Sequence, residues 1–390
     1  MRHRVSLSAI RATGAFFTSS QLARRVLTPL LRDAPAGAVY CDPTCGAGDL
    51  LLTCARFLPL RANLNTTLKA WGRVLIGYDV HPEFVQATKM RLLLLALVRH
   101  RSVGTLQARR PARLFPRIRC LDSLGECDNL SHATHLVVNP PFTLTAAPDD
   151  CEWASGLVCG AALFLASFVV RSAVGTRVAA ILPEVLRTGS RYEKWRGFMQ
   201  SRADIQYIRP LGQFANWADI DVFGLRLTLR PENKSRRRKW WHSRAGEAKL
   251  KRVSDFFSVS VGAVVPHRHE RIGKCYAYVT ARTLKPWRVA KRIVHRRRFK
   301  GPVVSGPFVA VRRTSRPSDR HRAVGAMVTG DRAVAVENHL IVLRPIDGST
   351  ERCEQLLGIL RQRRTSEWLN RRLRARHLTA AALRELPWWG

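Results

Sequence analysis

The chain has 390 residues and 46% hydrophobic content, enough for two domains that each bury a core. Its 66 Lys and Arg against 28 Asp and Glu leave a formal charge of +38, which opposes compaction unless a polyanion offsets it, so nucleic acid is the expected partner. Nine scattered Cys without a Cys-x-x-Cys pair exclude a readable disulfide framework and point to a reducing cytoplasm, and the longest apolar run, Leu157 to Val170, falls short of the roughly 18–20 residues that cross a bilayer.

Ala38-Val39-Tyr40-Cys41 is the first expected strand. It enters a glycine turn, Asp42-Pro43-Thr44-Cys45-Gly46-Ala47-Gly48, and then a helix from Asp49 to Leu58 with one apolar face. Arg61 to Trp71 reads as a polar connecting segment. Val74 to Asp79 is a second strand ending in an acid, Pro82 to Val98 a helix, and Ile118 to Asp122 a third strand, again ending in an acid. His135-Leu136-Val137-Val138 is the fourth strand and runs into Asn139-Pro140-Pro141-Phe142. Gly160 to Val170 is a buried helix, Val178 to Leu182 a fifth strand, and Tyr192 to Gln200 a helix. Ile205 to Ile208 and Val222 to Leu229 alternate as late strands. This alternation predicts an open, mostly parallel α/β sheet with helices on both faces and ligands outside the carboxyl ends of its strands.

Beyond Pro231 the texture changes. Lys234, Arg236, Arg237, Arg238 and Lys239 lead into Trp240-Trp241, a basic strip at an expected domain junction. Strand-like runs follow at Phe256 to Val265, Val303-Val304, Phe308 to Val311 and Ala333 to Leu343, then a helical stretch from Cys353 to Arg376. Two domains are expected, 1–232 and 233–390, the second a smaller, β-rich α+β unit.

The glycine turn allows close backbone approach to a ligand, and the helix N-terminus after it favours anionic groups. Asp79 stands where ribose hydroxyls are bonded, although it lies further from the glycines than the roughly 20 residues of a dinucleotide fold. Asp122 can accept from a cofactor's exocyclic amine, and Asp42 can face a cationic amino group. Each acid taken singly is as readily a helix cap or turn residue; three in order behind three strands favour a ligand.

The Asn139–Phe142 loop suits another chemistry. The lone pair of an aromatic amine is delocalised into its ring. The Asn139 side-chain oxygen and the Pro140 carbonyl can accept its two N–H groups and localise the lone pair for attack on an electrophilic methyl. The prolines stiffen the loop, and the Phe142 ring can lie against a base.

On these residues the chain resembles the adenine-N6 DNA methyltransferases that use S-adenosylmethionine, in the group with cofactor motifs first and target recognition last, as found in restriction-modification systems. Gly14-Ala15-Phe16-Phe17-Thr18 resembles that group's segment over the methionine end of the cofactor, with Ser19 where Pro is usual. The likeness spans about residues 11–230. It implies a Rossmann-like S-adenosylmethionine-dependent methyltransferase sheet followed by a β-rich recognition domain. It implies Phe17, Thr18, Asp42, Pro43, Cys45, Gly46, Gly48, Asp79 and Asp122 as cofactor contacts, and Asn139, Pro140, Pro141 and Phe142 as catalytic, with Phe142 where Tyr is common. A stacked base cannot reach such a loop, so base flipping is implied. The flipped adenine would lie between Phe142 and a second aromatic, for which Phe214 is the candidate and Phe223 the runner-up.

Duplex DNA is the expected partner, and a separately encoded restriction endonuclease remains open. In the second half Arg296, Arg297, Arg312, Arg313 and Arg316 are the DNA-binding candidates, among neighbours that include Arg320 and Arg322. Most would meet phosphates, and one or two would read bases. Val334 to Leu340 resembles recognition tracts. No metal site is expected. The same fold acting on RNA or a protein glutamine amide, or a silent DNA-binding relative, are the alternatives.

Overall fold

The computed structural model describes residues 18–101, 114–125, 128–215, 218–233, 240 and 246–389. Phe17 and, apart from Trp240, the basic strip at 234–245 lie outside the described residues. The chain divides into two compact units, Met1–Trp240 and Trp241–Gly390.

The first unit carries strands β1 (Tyr40–Asp42), β2 (Leu75–Asp79), β3 (Ile118–Cys120), β4 (His135–Val138), β5 (Leu144–Ala146), β6 (Leu157–Cys159), β7 (Arg177–Pro183), β8 (Ala203–Ala215) and β9 (Ala218–Leu229). Seven of them form one sheet in the order β3-β2-β1-β4-β7-β9-β8. The first five are parallel, while β9 runs antiparallel to both β7 and β8. β1 and β4 are buried along their whole length, as parallel strands covered on both faces must be. Alternation along the strands feeds two cores. Leu136, Val138, Ala180 and Leu182 pack with the helices Gly160–Arg171 and Glu193–Arg202. Val137, Ala179 and Ile181 pack with the helices Ser20–Arg32, Asp49–Phe57, Leu64–Val74 and Pro82–His100. Building from β1 through β3 to one side and then placing β4 on the other side of β1 reverses the strand order. That makes the gap between β1 and β4 the switch point of the sheet.

Several elements of this unit differ from the sequence expectation or were absent from it. Ser20–Arg32 is a helix despite Pro29, capped by Ser19, whose hydroxyl accepts from the Leu22 N–H at 3.2 Å. Arg61 to Trp71 is no mere connector: Leu64–Val74 is a helix opened by an Asn63–Thr66 capping box, and Leu68 and Trp71 sink into the core. β8 is far longer than Ile205 to Ile208. Its register shifts at Ile205/Tyr207, Pro210/Gly212 and Gln213/Ala215 break the two-residue period that would have revealed it.

The second unit holds β10 (Phe257–Val261), β11 (Lys274–Val279), β12 (Val289–Ala290), β13 (Arg296–Phe299), β14 (Phe308–Arg312), β15 (Gly325–Val328), β16 (Val334–Val336) and β17 (Leu340–Pro345). They form a five-stranded sheet, β10-β17-β14-β15-β12, and a three-stranded one, β13-β11-β16. The run Ala333 to Leu343 is thus two strands in different sheets, parted by a turn in which the Leu340 N–H donates to the Glu337 carbonyl at 3.0 Å. Val304 makes only an isolated bridge to Val334. The long C-terminal helix is two, Thr350–Arg361 and Arg363–Arg372, because Gln362 takes an extended conformation. Their apolar faces cover Val309, Val311 and Leu343. No helix among the described residues is long and apolar enough to cross a membrane.

Candidate active site

β1 delivers Asp42 to the switch point, and the next six residues turn back into the helix Asp49–Phe57. Gly48 caps that helix at φ +84°, where a Cβ would stand 2.7 Å from Thr88 Cγ2; only glycine fits. Gly46 also has positive φ (+50°), but a Cβ there would meet nothing within 4 Å, because it faces the open cleft. The turn is fastened from outside. The Cys45 N–H donates to the Tyr78 carbonyl at 2.8 Å, and the Thr88 hydroxyl donates to the Gly46 carbonyl at 2.8 Å. Asp79, at the end of β2, accepts from the Gly46 N–H at 2.9 Å through one oxygen. Its other oxygen takes the His81 N–H at 2.9 Å and faces His81 Nδ1 at 3.0 Å.

These strand ends line one cleft. It gathers Thr18, Asp42, Pro43, Cys45, Gly46, Asp79, Asp122, Asn139 and Pro141 from the expected site. Gly48, Pro140 and Phe142 are not among the residues that line it. The structure adds His81, Phe84, Leu121, Ser123 and Phe164. His81 and Phe84 follow Asp79 at the mouth of β2, where the strand-end rule points. Phe164 lies inside an apolar helical run with nothing in the sequence to mark it.

The catalytic candidate is held from two sides. Asn139 Nδ2 donates to Thr18 Oγ1 at 2.9 Å, tying the end of β4 to the segment before the first described helix. Beyond the prolines the Gly160 N–H donates to the Thr143 carbonyl at 2.7 Å, and a Cβ at Gly160 would press on the Pro141 carbonyl at 3.1 Å. Phe142 meets Phe214 edge to face, with ring centroids 5.8 Å apart and planes at 82°. The two candidate stacking rings are therefore neighbours, and a flat base between them needs them to part. Phe223 is fully buried against Trp240, a core position.

Asp42 is 1% exposed, and burial pushes its carboxyl up to about 8; the Thr44 N–H at 3.1 Å pulls it down, and the charges of Asp79 and Asp49 add to the rise. An unfolded carboxyl titrates near ~3.9. The native state therefore holds the extra proton, and the stability linked to it is full below that value and lost as pH rises through about 8. The ligand-free protein is expected to lose melting temperature between pH 5 and 8, and Asp42→Asn to flatten that slope. Thermal unfolding of both proteins across this range checks it; parallel slopes would contradict it.

In the second unit the basic candidates separate by exposure. β13 alternates, so Arg296 and Arg298 are exposed while Arg297 is buried beside Phe299. The Arg297 guanidinium donates to the His269 carbonyl at 2.6 Å and lies over the Tyr278 ring, which makes it a packing residue. Arg312 and Arg313 are half-buried, donating to the Leu284 carbonyl at 3.1 Å and the Asn338 carbonyl at 2.9 Å; Arg316 is exposed. Arg322 is fully buried. It donates to the Ser315 carbonyl and hydroxyl and to the carbonyls of Leu373 and Ala375, at 2.5 to 2.9 Å.

No family model and no curated protein matches the sequence. Solved structures do resemble the fold. The type IIL restriction-modification enzyme MmeI, solved in complex with DNA, is similar over 94% of this chain and 64% of its own, with 13% identity and a TM-score of 0.53. The M protein of the type I restriction enzyme EcoKI is similar over 57% of this chain and 46% of its own (18% identity, TM-score 0.41). A putative class I S-adenosylmethionine-dependent methyltransferase from Listeria monocytogenes is similar over 61% and 66% (18% identity, TM-score 0.40). The chain thus spans about half to two thirds of the length of the solved chains it matches. The fold is a mixed α/β one with a mostly parallel central sheet, and it carries a further β-rich unit.

Proposed function

We propose that the chain is a DNA methyltransferase that moves a methyl group from S-adenosylmethionine to N6 of an adenine flipped out of duplex DNA, within a restriction-modification system or as a solitary enzyme. One observation carries this reading: Asn139 and the Asp42–Gly48 turn open onto the same cleft at the switch point of the sheet.

The cleft fits the cofactor. Gly46 leaves room for close backbone approach, and the buried Asp42 carboxyl is placed to receive a cationic amino group. Asp79 and Asp122 stand at the next two strand ends to accept from ribose hydroxyls and an exocyclic amine. When bound, S-adenosylmethionine supplies the electrophilic methyl. The chain's own part is to hold the amine: the Asn139 oxygen and the Pro140 carbonyl accept its two N–H groups, localise the lone pair and aim it. Thr18 fixes the Asn139 amide by accepting from its Nδ2. Residues 233–390 would be the target-recognition domain. The charge of +38 favours a polyanionic acceptor over a protein amide.

Incubation with methyl-labelled cofactor and, in parallel, duplex DNA, RNA and protein tests the reading. Label is expected in duplex DNA alone; label in RNA or protein instead would overturn it.

A further inference from the structure

The second unit contains a cleft of about 550 Å³ that no part of the reaction uses. Its lining is basic, with Arg271, Arg282, Arg297 and Arg312, and it holds one carboxylate, that of Glu337. Arg297 and Arg312 are tied to backbone carbonyls and form its walls, while Arg271 and Arg282 are exposed.

The carboxylate is held in place. The Glu337 N–H donates to the Val279 carbonyl at 3.0 Å, and one side-chain oxygen accepts from the Ala281 N–H at 3.0 Å. Behind it the backbone is packed so closely that a Cβ on Gly262 would stand 2.1 Å from the Glu337 carbonyl oxygen. An ionised carboxylate has about four acceptor positions, so it can take a further donor.

A fixed negative charge is out of place on a surface that meets phosphates, since it repels them. Duplex DNA offers a carboxylate few donors, and those of the major groove are the exocyclic amines of cytosine and adenine. Adenine sets its N7 acceptor beside the amine, which suits an amide that both donates and accepts. Cytosine shows the amine alone, which suits a carboxylate. We infer that Glu337 reads a cytosine N4 amine in the target sequence, with Arg271 and Arg282 on the flanking phosphates. This rests on the DNA reading above.

Glu337→Gln keeps the oxygen that accepts from Ala281, so the fold is retained; Glu337→Ala removes the group. Each full-length variant and the wild type would be expressed in a bacterial host without adenine methylation of its own, and the marked sites read by modification-sensitive sequencing. The wild-type motif should contain a fixed cytosine at one position. Glu337→Ala should relax that position alone, discrimination there falling about ten- to a hundredfold, and Glu337→Gln should shift it toward adenine, the base an amide pairs with. An unchanged motif in both variants, or a uniform loss of marking at all sites with the motif intact, would overturn the assignment of Glu337 while leaving the methyltransferase standing. No mark on DNA from the wild type would overturn both.

Discussion

Asn139→Ala is expected to lower methyl transfer by about a hundred- to a thousandfold, the usual cost of removing one preorganised group from a developing charge. Cofactor affinity should change little. Asn139 lines the cleft but does not fasten the turn that would cradle the cofactor, which Tyr78, Asp79 and Thr88 hold. Asn139→Asp separates two functions of the side chain. It keeps an acceptor for the amine but loses the Nδ2 donor to Thr18, so it should retain part of the rate. Single-turnover transfer alongside a cofactor-binding titration checks both. A variant that loses cofactor affinity as much as rate would make Asn139 a scaffold residue rather than a catalytic one.

The second large effect is on stability. Arg322→Leu should destabilise the second unit by on the order of 3–5 kcal/mol, because the carbonyls of Ser315, Leu373 and Ala375 lose their buried cationic donor together. These carbonyls belong to the loop after β14 and to the residues that follow the helix Arg363–Arg372, so Arg322 ties the two segments together. Arg296→Ala, on the exposed face of β13, should leave stability unchanged and weaken DNA binding alike on all sequences. Denaturant unfolding and binding at two salt concentrations distinguish them. If Arg322→Leu folded like the wild type but no longer bound DNA, Arg322 would be a contact and not a tie.

The sequence was most legible where one residue type has one use. Strand-end acids, the glycine turn and Asn139-Pro140-Pro141-Phe142 are short, local signals, and the sheet brings Asp42, Asp79, Asp122 and Asn139 to one cleft. The α/β order was readable because central parallel strands carry short apolar runs, Leu136 to Val138 and Val178 to Leu182 among them. Long-range context hid the rest. The β8 bulges erased its alternation, and Leu64–Val74 owes its place to the burial of Leu68 and Trp71 in a pattern too sparse to stand out. Among the arginines, sequence carries no sign of direction. Arg296 and Arg297 are neighbours, yet the strand turns one outward and the other into the core. Arg322 reads as one more basic loop residue and proves fully buried. Phe142 and Phe214 meet edge to face, a geometry that no spacing encodes.

Asn139, beside the β1 turn, is proposed to direct methyl transfer to adenine N6. The most direct test of this role is modification-sensitive sequencing of DNA from cells expressing the wild-type chain or Asn139→Ala, with the methylated nucleoside identified by mass spectrometry after digestion. N6-methyladenine at one short motif, present with the wild type and absent with the variant, is the expected result. No methyladenine from a wild-type protein that binds the cofactor, or equal marking by both proteins, would contradict it.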